Sequence, residues 1–422
     1  MTSHVSRSWR KTATFVATLV AAGSLLSACS LFSGPWTRDG EERKAEKAEK
    51  EPIGLPPIAT HRFEYDPAKD DVVGVMQKTI VGEDDTLPDI ARRFNLGYEE
   101  IVRANPGVDP WLPGAGREVV LPTRFILPSA PHEGVVINIP AMRLFYFPKR
   151  KENEPHVVIT YPIGIGKVGW ATPEGSTRIV RRTKDPTWTV PVSVRDEHRK
   201  NGEELPPIVP PGPDNPLGRH SFTLGWPSYL VHGTNKPYGV GMRSSHGCIR
   251  LYPEDIEQLF ETVPIGTRLR VVNQPYLLGR LGDDLLLQAY DVLEDDKRDW
   301  EKSHRKLFDK SLSVSVKKTL QDRKVTLDWE RFEALVREPR AIPVSMLLPE
   351  ASMDAEIVGA RLVQNTVPEG SNWDGQVVID EEKFQELLSD RDPGAPGTPA
   401  TTSTPGSSPP PAQQSAPEGG SP

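Results

Sequence analysis

Residues 232–260 read HGTNKPYGVGMRSSHGCIRLYPEDIEQLF, and the character of the chain turns on them. Cys248 lies in the turn Ser245-His246-Gly247-Cys248, and a thiol attacks a carbonyl only as the thiolate, so it needs a base or a positive environment. Two histidines are at hand. His232 ends an apolar run with β character sixteen positions earlier, which allows it to form the opposite wall of a site. His246 is two residues away, and positions two apart in an extended segment point the same way. The residues alone do not choose between them. Gly247 removes a side chain beside the nucleophile and leaves backbone amides free to meet a developing oxyanion. Arg250 offers a planar fork for a carboxylate. After it, Pro253, Glu254 and Asp255 open a helix in the way a first turn favours. Two plainer readings compete: an inert buried cysteine, and a zinc site from His232, His246 and Cys248.

Cys248 gains weight from the cysteine count, since the 422 residues contain only one other, Cys29. Residues 1–28 have the layout of a secretory leader, with Arg7, Arg10 and Lys11 ahead of a short apolar run. That run ends in Leu26-Ser27-Ala28-Cys29, which resembles the lipobox of bacterial lipoproteins. The resemblance implies a leader cut before Cys29 and lipid on its sulfur and amino group, a membrane anchor. Ser30 in place of aspartate resembles lipoproteins sent to the outer membrane. If Cys29 is lipidated, Cys248 has no partner in the chain, and an unpaired thiol in an oxidising compartment calls for a chemical use. A formal charge of −7, with Lys and Arg not gathered into a stripe, argues against nucleic acid as a partner.

The rest of the chain divides by composition. Residues 29–73 are polar and charged and read as a flexible tether. Residues 74–126 switch to a β-α-α-β order, with strands near 79–81 and 118–122 and helices through 94 and over 98–104. Residues 133–273 are rich in strands, among them 135–139, 143–147, 157–161, 178–181, 188–190 and 229–232. The proline-rich insertion 205–217 is a candidate wall or lid of a cleft. Residues 274–390 form a mixed extension with a strand at 285–290 and helices over 297–320 and 328–337. Residues 391–422 are Pro, Ser, Thr and Gly, the composition of a disordered tail.

Two resemblances follow. Asp85-Thr86-Leu87, Ile90-Ala91, Phe94, Ile101, Ala104-Asn105, Pro113-Gly114 and Leu121-Pro122 look like a LysM module, although Pro88 stands where serine is usual. That resemblance implies a glycan-binding groove, against the plainer reading of a spacer without sugar affinity. The stretch 232–260, with Ala171-Thr172-Pro173-Glu174-Gly175 and Asn215-Pro216-Leu217-Gly218, resembles the YkuD-type L,D-transpeptidases of the Gram-negative periplasm.

The second resemblance implies a mainly β chain with a β-sandwich-like catalytic domain and no cofactor or metal. It makes Cys248 the nucleophile and His232 the base, with the second ring nitrogen of His232 held by the carbonyl of Gly233. Backbone amides of 246–248 become the oxyanion hole, Ser245, His246 and Gly247 support the site, and Arg250, Thr234 and Asn235 meet substrate. The reaction implied is a thioester exchange on peptidoglycan stem peptides. Its acyl acceptor is a diaminopimelate, a lysine of a wall-attached lipoprotein, or water, which would make the enzyme an L,D-carboxypeptidase. The rival from another class is a non-catalytic scaffold working through its LysM module.

Overall fold

The computed structural model describes residues 59–366 apart from 325 and 350. The leader, Cys29, most of the tether and the terminal tail lie outside these residues. The described part is mixed, with more strand than helix, where a mainly β chain was expected. In place of the expected sandwich the catalytic strands build one curled mixed sheet. Its order is His61–Tyr65, His156–Pro162, Arg143–Phe147, Gly134–Asn138, Arg268–Val272, Gly175–Lys184, His220–Leu224, Leu230–His232 and Ile249–Arg250. Neighbours run antiparallel except at Gly134–Asn138 beside Arg268–Val272 and at Leu230–His232 beside Ile249–Arg250. The curl is tight enough for Gly164, just past the second strand of that order, to exchange backbone hydrogen bonds of 2.8 and 3.0 Å with Arg250 in the last.

Strand alternation explains why the stretches 135–137 and 144–147 are apolar at every position. Val135, Ile137, Leu144 and Tyr146 point into the concave core, with Ile256 and Leu259 of the helix Pro253–Thr262. Val136, Phe145, Phe147 and Val158 point the other way, onto Leu87, Ile90 and Ile101 of the LysM region. A strand covered on both faces has no polar side to show.

The LysM region is built as its sequence indicates. Thr86 caps the helix Leu87–Arg93 in a reciprocal box with Asp89, and the helix Tyr98–Ala104 follows. The strands Gln77–Ile80 and Glu118–Leu121 pair antiparallel. Its contact with the catalytic sheet is close. Tyr98 and Glu99 donate their backbone N–H groups to the carbonyls of Val240 and Gly241 at 3.1 and 3.2 Å. Gly241 has φ +81°, and a Cβ there would stand 2.4 Å from Gly97 Cα, so the approach of the two backbones requires glycine.

Beneath that contact Arg143, 0% exposed, forks onto both oxygens of Glu100 at 2.7 Å, and it also reaches Asn95 O and Thr160 Oγ1. Removing one partner of such a buried pair strands the other charge. Glu100→Ala is expected to lower unfolding free energy by about 3–5 kcal/mol, read by urea denaturation, with loss of the joint between the two modules.

Two ranges differ from their sequence reading. Within residues 29–73, read as tether, His61–Tyr65 is the edge strand of the main sheet. Its alternation is the reason: His61 and Phe63 turn inward beside Phe125, while the charged residues between them face water. The helix expected over 297–320 is two, Trp300–Ser311 and Val314–Arg323, because Ser313 leaves helical geometry and caps the second at Val316 N.

The extension also shares its core with the LysM region. Leu285, Leu287, Phe308, Phe332 and Val344 pack with Met76, Ala104 and Val120. Arg361–Leu362 adds a parallel strand to Gln77–Ile80.

Candidate active site

Strand register brings the catalytic candidates together. Leu230–His232 lies parallel to Ile249–Arg250, with Val231 opposite Ile249 and His232 opposite Arg250. Val231 and Ile249 both point into the core. Alternation then turns His232 and Arg250 to the other face, and with them Cys248, two residues before Arg250.

His232 is 4% exposed, and its Nδ1 lies 2.6 Å from the carbonyl oxygen of Gly233. A carbonyl only accepts, so Nδ1 carries the proton and the Nε2 lone pair is left to receive one. Burial, and then the Arg250 guanidinium, push the imidazole down to about 3, against the raising effect of the Gly233 carbonyl. Cys248 is half-buried, with Sγ 3.7 Å from Ser228 O. Burial raises its thiol above the ordinary value of 9.0, only partly offset by the backbone N–H of Leu230 and by Arg250. The resting pair is therefore a neutral thiol beside a neutral imidazole.

Two pH effects follow from these shifts. Alkylation of Cys248 by iodoacetamide is expected to rise about tenfold per pH unit through neutrality and to level off only above pH 9. Because His232 stays neutral down to about 3, its protonation contributes no acid limb near pH 6.5. A plateau of alkylation at pH 7 would contradict both.

The supporting turn is held from several sides. Ser245, buried, donates from Oγ to the Cys248 carbonyl at 2.6 Å and accepts the Gly247 N–H at 3.2 Å. Thr172 Oγ1 donates to the Gly247 carbonyl at 3.0 Å. Gly247 has φ +100°, and a Cβ would meet Tyr229 Cε1 at 3.0 Å, so both backbone and space call for glycine. His246 is committed elsewhere: Nε2 lies 2.7 Å from Glu197 Oε2, and Trp170 sits edge-on at 4.8 Å. Glu197 also holds Lys167 Nζ at 2.6 Å. Burial lowers the His246 pKa, Glu197 raises it and Lys167 lowers it again.

The remaining candidates fall into two groups. Arg250 reaches Ser244 Oγ at 3.2 Å from Nη1 and lies in the cleft face. Thr234 is 2% exposed, and its hydroxyl accepts the Lys236 N–H at 2.9 Å, a loop-shaping contact. Asn235 donates to Pro213 O at 3.2 Å, tying the loop to the proline-rich insertion. Among the described residues no group of three or more His, Cys, Asp and Glu side chains is placed to hold a metal ion, and His232, His246 and Cys248 form none. Glu197 had no sequence signal, since VSVRDEHRK reads as a solvated helix face. Thr172 stood in a recognised motif without a role.

Comparison with known proteins agrees with this geometry. Residues 132–272 match the YkuD family, the L,D-transpeptidase catalytic domain, and residues 79–122 match the LysM domain. Probable L,D-transpeptidase YbiS of Escherichia coli (strain K12) is 44% identical over 207 residues, 48% of this chain and 66% of that protein. Probable L,D-transpeptidase YcfS of the same strain is 41% identical over 224 residues, 52% of this chain and 69% of that protein. Probable L,D-transpeptidase ErfK/SrfK, also of that strain, is 42% identical over 190 residues, 45% and 60% of the two lengths. The chain thus spans about two thirds of the length of the curated relatives it matches. With YcfS 41% identical and covered over 69% of its length, and with the family match at 132–272 taking in both His232 and Cys248, the chain belongs to the YkuD-type L,D-transpeptidase family and carries a LysM domain.

Proposed function

We propose that the protein is a cysteine L,D-transpeptidase acting on peptidoglycan stem peptides. The observation that supports this reading is the parallel register that sets His232 opposite Arg250, two residues beyond Cys248. Sγ of Cys248 attacks the carbonyl carbon of the third stem residue as its proton passes to His232 Nε2. The imidazolium so formed is stabilised by the Gly233 carbonyl already bonded to Nδ1. The tetrahedral oxyanion is met by backbone amides of the 246–248 turn other than that of Gly247, whose N–H is given to Ser245. Collapse expels the amine of the terminal D-alanine, which takes the proton from His232, and leaves a thioester.

An acceptor amine then attacks the thioester carbonyl, His232 takes its proton, and the thiol is restored. A diaminopimelate amine yields a 3-3 cross-link, a protein lysine attaches a lipoprotein to the wall, and water yields the carboxypeptidase product. Arg250 pairs with a stem carboxylate. The LysM domain holds glycan, with Trp111 and Leu112, 58% and 81% exposed, on the loop after its second helix. Lipidation at Cys29, outside the described residues, keeps the enzyme at the envelope membrane.

The test is product analysis. Full-length protein incubated with tetrapeptide muropeptides is expected to release D-alanine and form 3-3 linked dimers. Binding of glycan with neither product would leave the scaffold reading standing instead.

A further inference from the structure

The extension after residue 273 meets the catalytic domain through a short segment, residues 293–298. Leu293 packs against the catalytic core. Asp296 accepts from Asn273 Nδ2 at 3.0 Å and from Trp300 Nε1 at 2.8 Å, and Arg298 reaches Glu174 at 3.1 Å. Between these anchors Asp295 Oδ1 takes Arg243 Nη2 at 2.7 Å, with the two side chains 21% and 16% exposed. A short charge-assisted bond, largely out of water, fixes the guanidinium more firmly than a surface pair does.

Arg243 opens the strand Arg243–Ser245 that leads into the nucleophile turn. Its Nε donates to Gly166 O at 3.2 Å, across to the parallel partner Ile165–Gly166. From this strand pair the bonds run on to the turn. Lys167 N–H donates to Ser245 O at 2.9 Å, and Gly166 N–H donates to Thr172 Oγ1 at 3.1 Å. Ser245 and Thr172 are the two side chains that hold the carbonyls of Cys248 and Gly247.

We propose that Asp295 is a positioning residue: through Arg243 it fixes the strand pair on which the Cys248 turn is hung, so that the extension completes the active-site wall. The claim rests on the transpeptidase reading only for its natural substrate. The geometry of the turn can be read without it.

The experiment uses full-length protein with Asp295→Ala, Asp295→Glu and, as a control in the same extension, Asp283→Ala, whose partner Arg323 lies at the surface. Two rates are measured, acylation by a tetrapeptide muropeptide and alkylation of Cys248 by iodoacetamide, alongside the melting temperature. Asp295→Ala is expected to slow the maximal acylation rate about tenfold or more with KM within about twofold, since small misplacements of reacting groups are costly. It is also expected to shift the pH profile of alkylation. Asp295→Glu recovers most of the rate, and Asp283→Ala matches the wild type in both readouts.

Wild-type acylation and alkylation in Asp295→Ala would overturn the proposal. So would a loss that falls equally on Asp283→Ala and tracks melting temperature. If the wild type is not acylated at all, the transpeptidase reading fails, and the alkylation profile alone still decides the role of Asp295.

Discussion

Replacing Cys248 with serine is expected to abolish turnover, a fall of at least about 10⁴-fold, while the fold survives. The thiol is already hard to ionise here, because burial raises it and only the Leu230 N–H and Arg250 work the other way. An alcohol is a far weaker acid, so less of its reactive anion can form, and the ester it would give passes its acyl group to an amine less readily than a thioester does. Stability has little to lose, since a serine hydroxyl can keep the contact with the Leu230 N–H, and the contact of Sγ with Ser228 O is long, 3.7 Å. A melting temperature within a few degrees of wild type, with no acyl transfer, is the expected pair of results. A serine variant retaining a tenth of the rate would place the nucleophile elsewhere.

The second large effect concerns the base. His232→Ala is expected to slow acylation by about 10²–10⁴-fold, the range for a positioned general base. His246→Ala is expected to cost about tenfold or less, because its Nε2 is occupied by Glu197 and its effect passes through the turn. Single-turnover acylation followed by intact mass separates the two. A larger loss at His246 would reverse the assignment.

The neutral resting pair also bears on survival of the thiol. Oxidation, like acylation, proceeds through the thiolate. The free Cys248 thiol is therefore protected from oxidation by the same burial that raises its pKa. The imidazole becomes charged only while the thiol proton is moving, and the Gly233 carbonyl is in place to hold that charge.

The motif around Cys248 named its own chemistry in the sequence. The contact that occupies His246 was not visible there, because its partner Glu197 lies 49 positions away in the chain. Spacing carries no information about such a contact. The LysM helices were readable from their caps and apolar spacing, and Thr86 and Asp89 sit as a capping box does. The joint between modules was not, since Glu100 and Arg143 look like ordinary surface charges until both are buried.

The same limit hid the edge strand His61–Tyr65. Its two inward residues are flanked by polar ones and fit a tether as well as a strand until the neighbour His156–Pro162 is present. The curl of the sheet depends on Gly164 meeting Arg250, a pairing between segments far apart in the chain. Local pattern thus indicated the elements and the candidate nucleophile, and long-range contacts set their arrangement.

The central claim is that Cys248 becomes a thioester with a stem peptide. Wild-type protein mixed with a tetrapeptide muropeptide and quenched in acid is expected to gain the mass of the donor less its terminal D-alanine. That mass should map to the peptide containing Cys248 and be lost on treatment with neutral hydroxylamine. An unmodified Cys248 during turnover, or an adduct of the same mass on the Cys248→Ala variant, would contradict it.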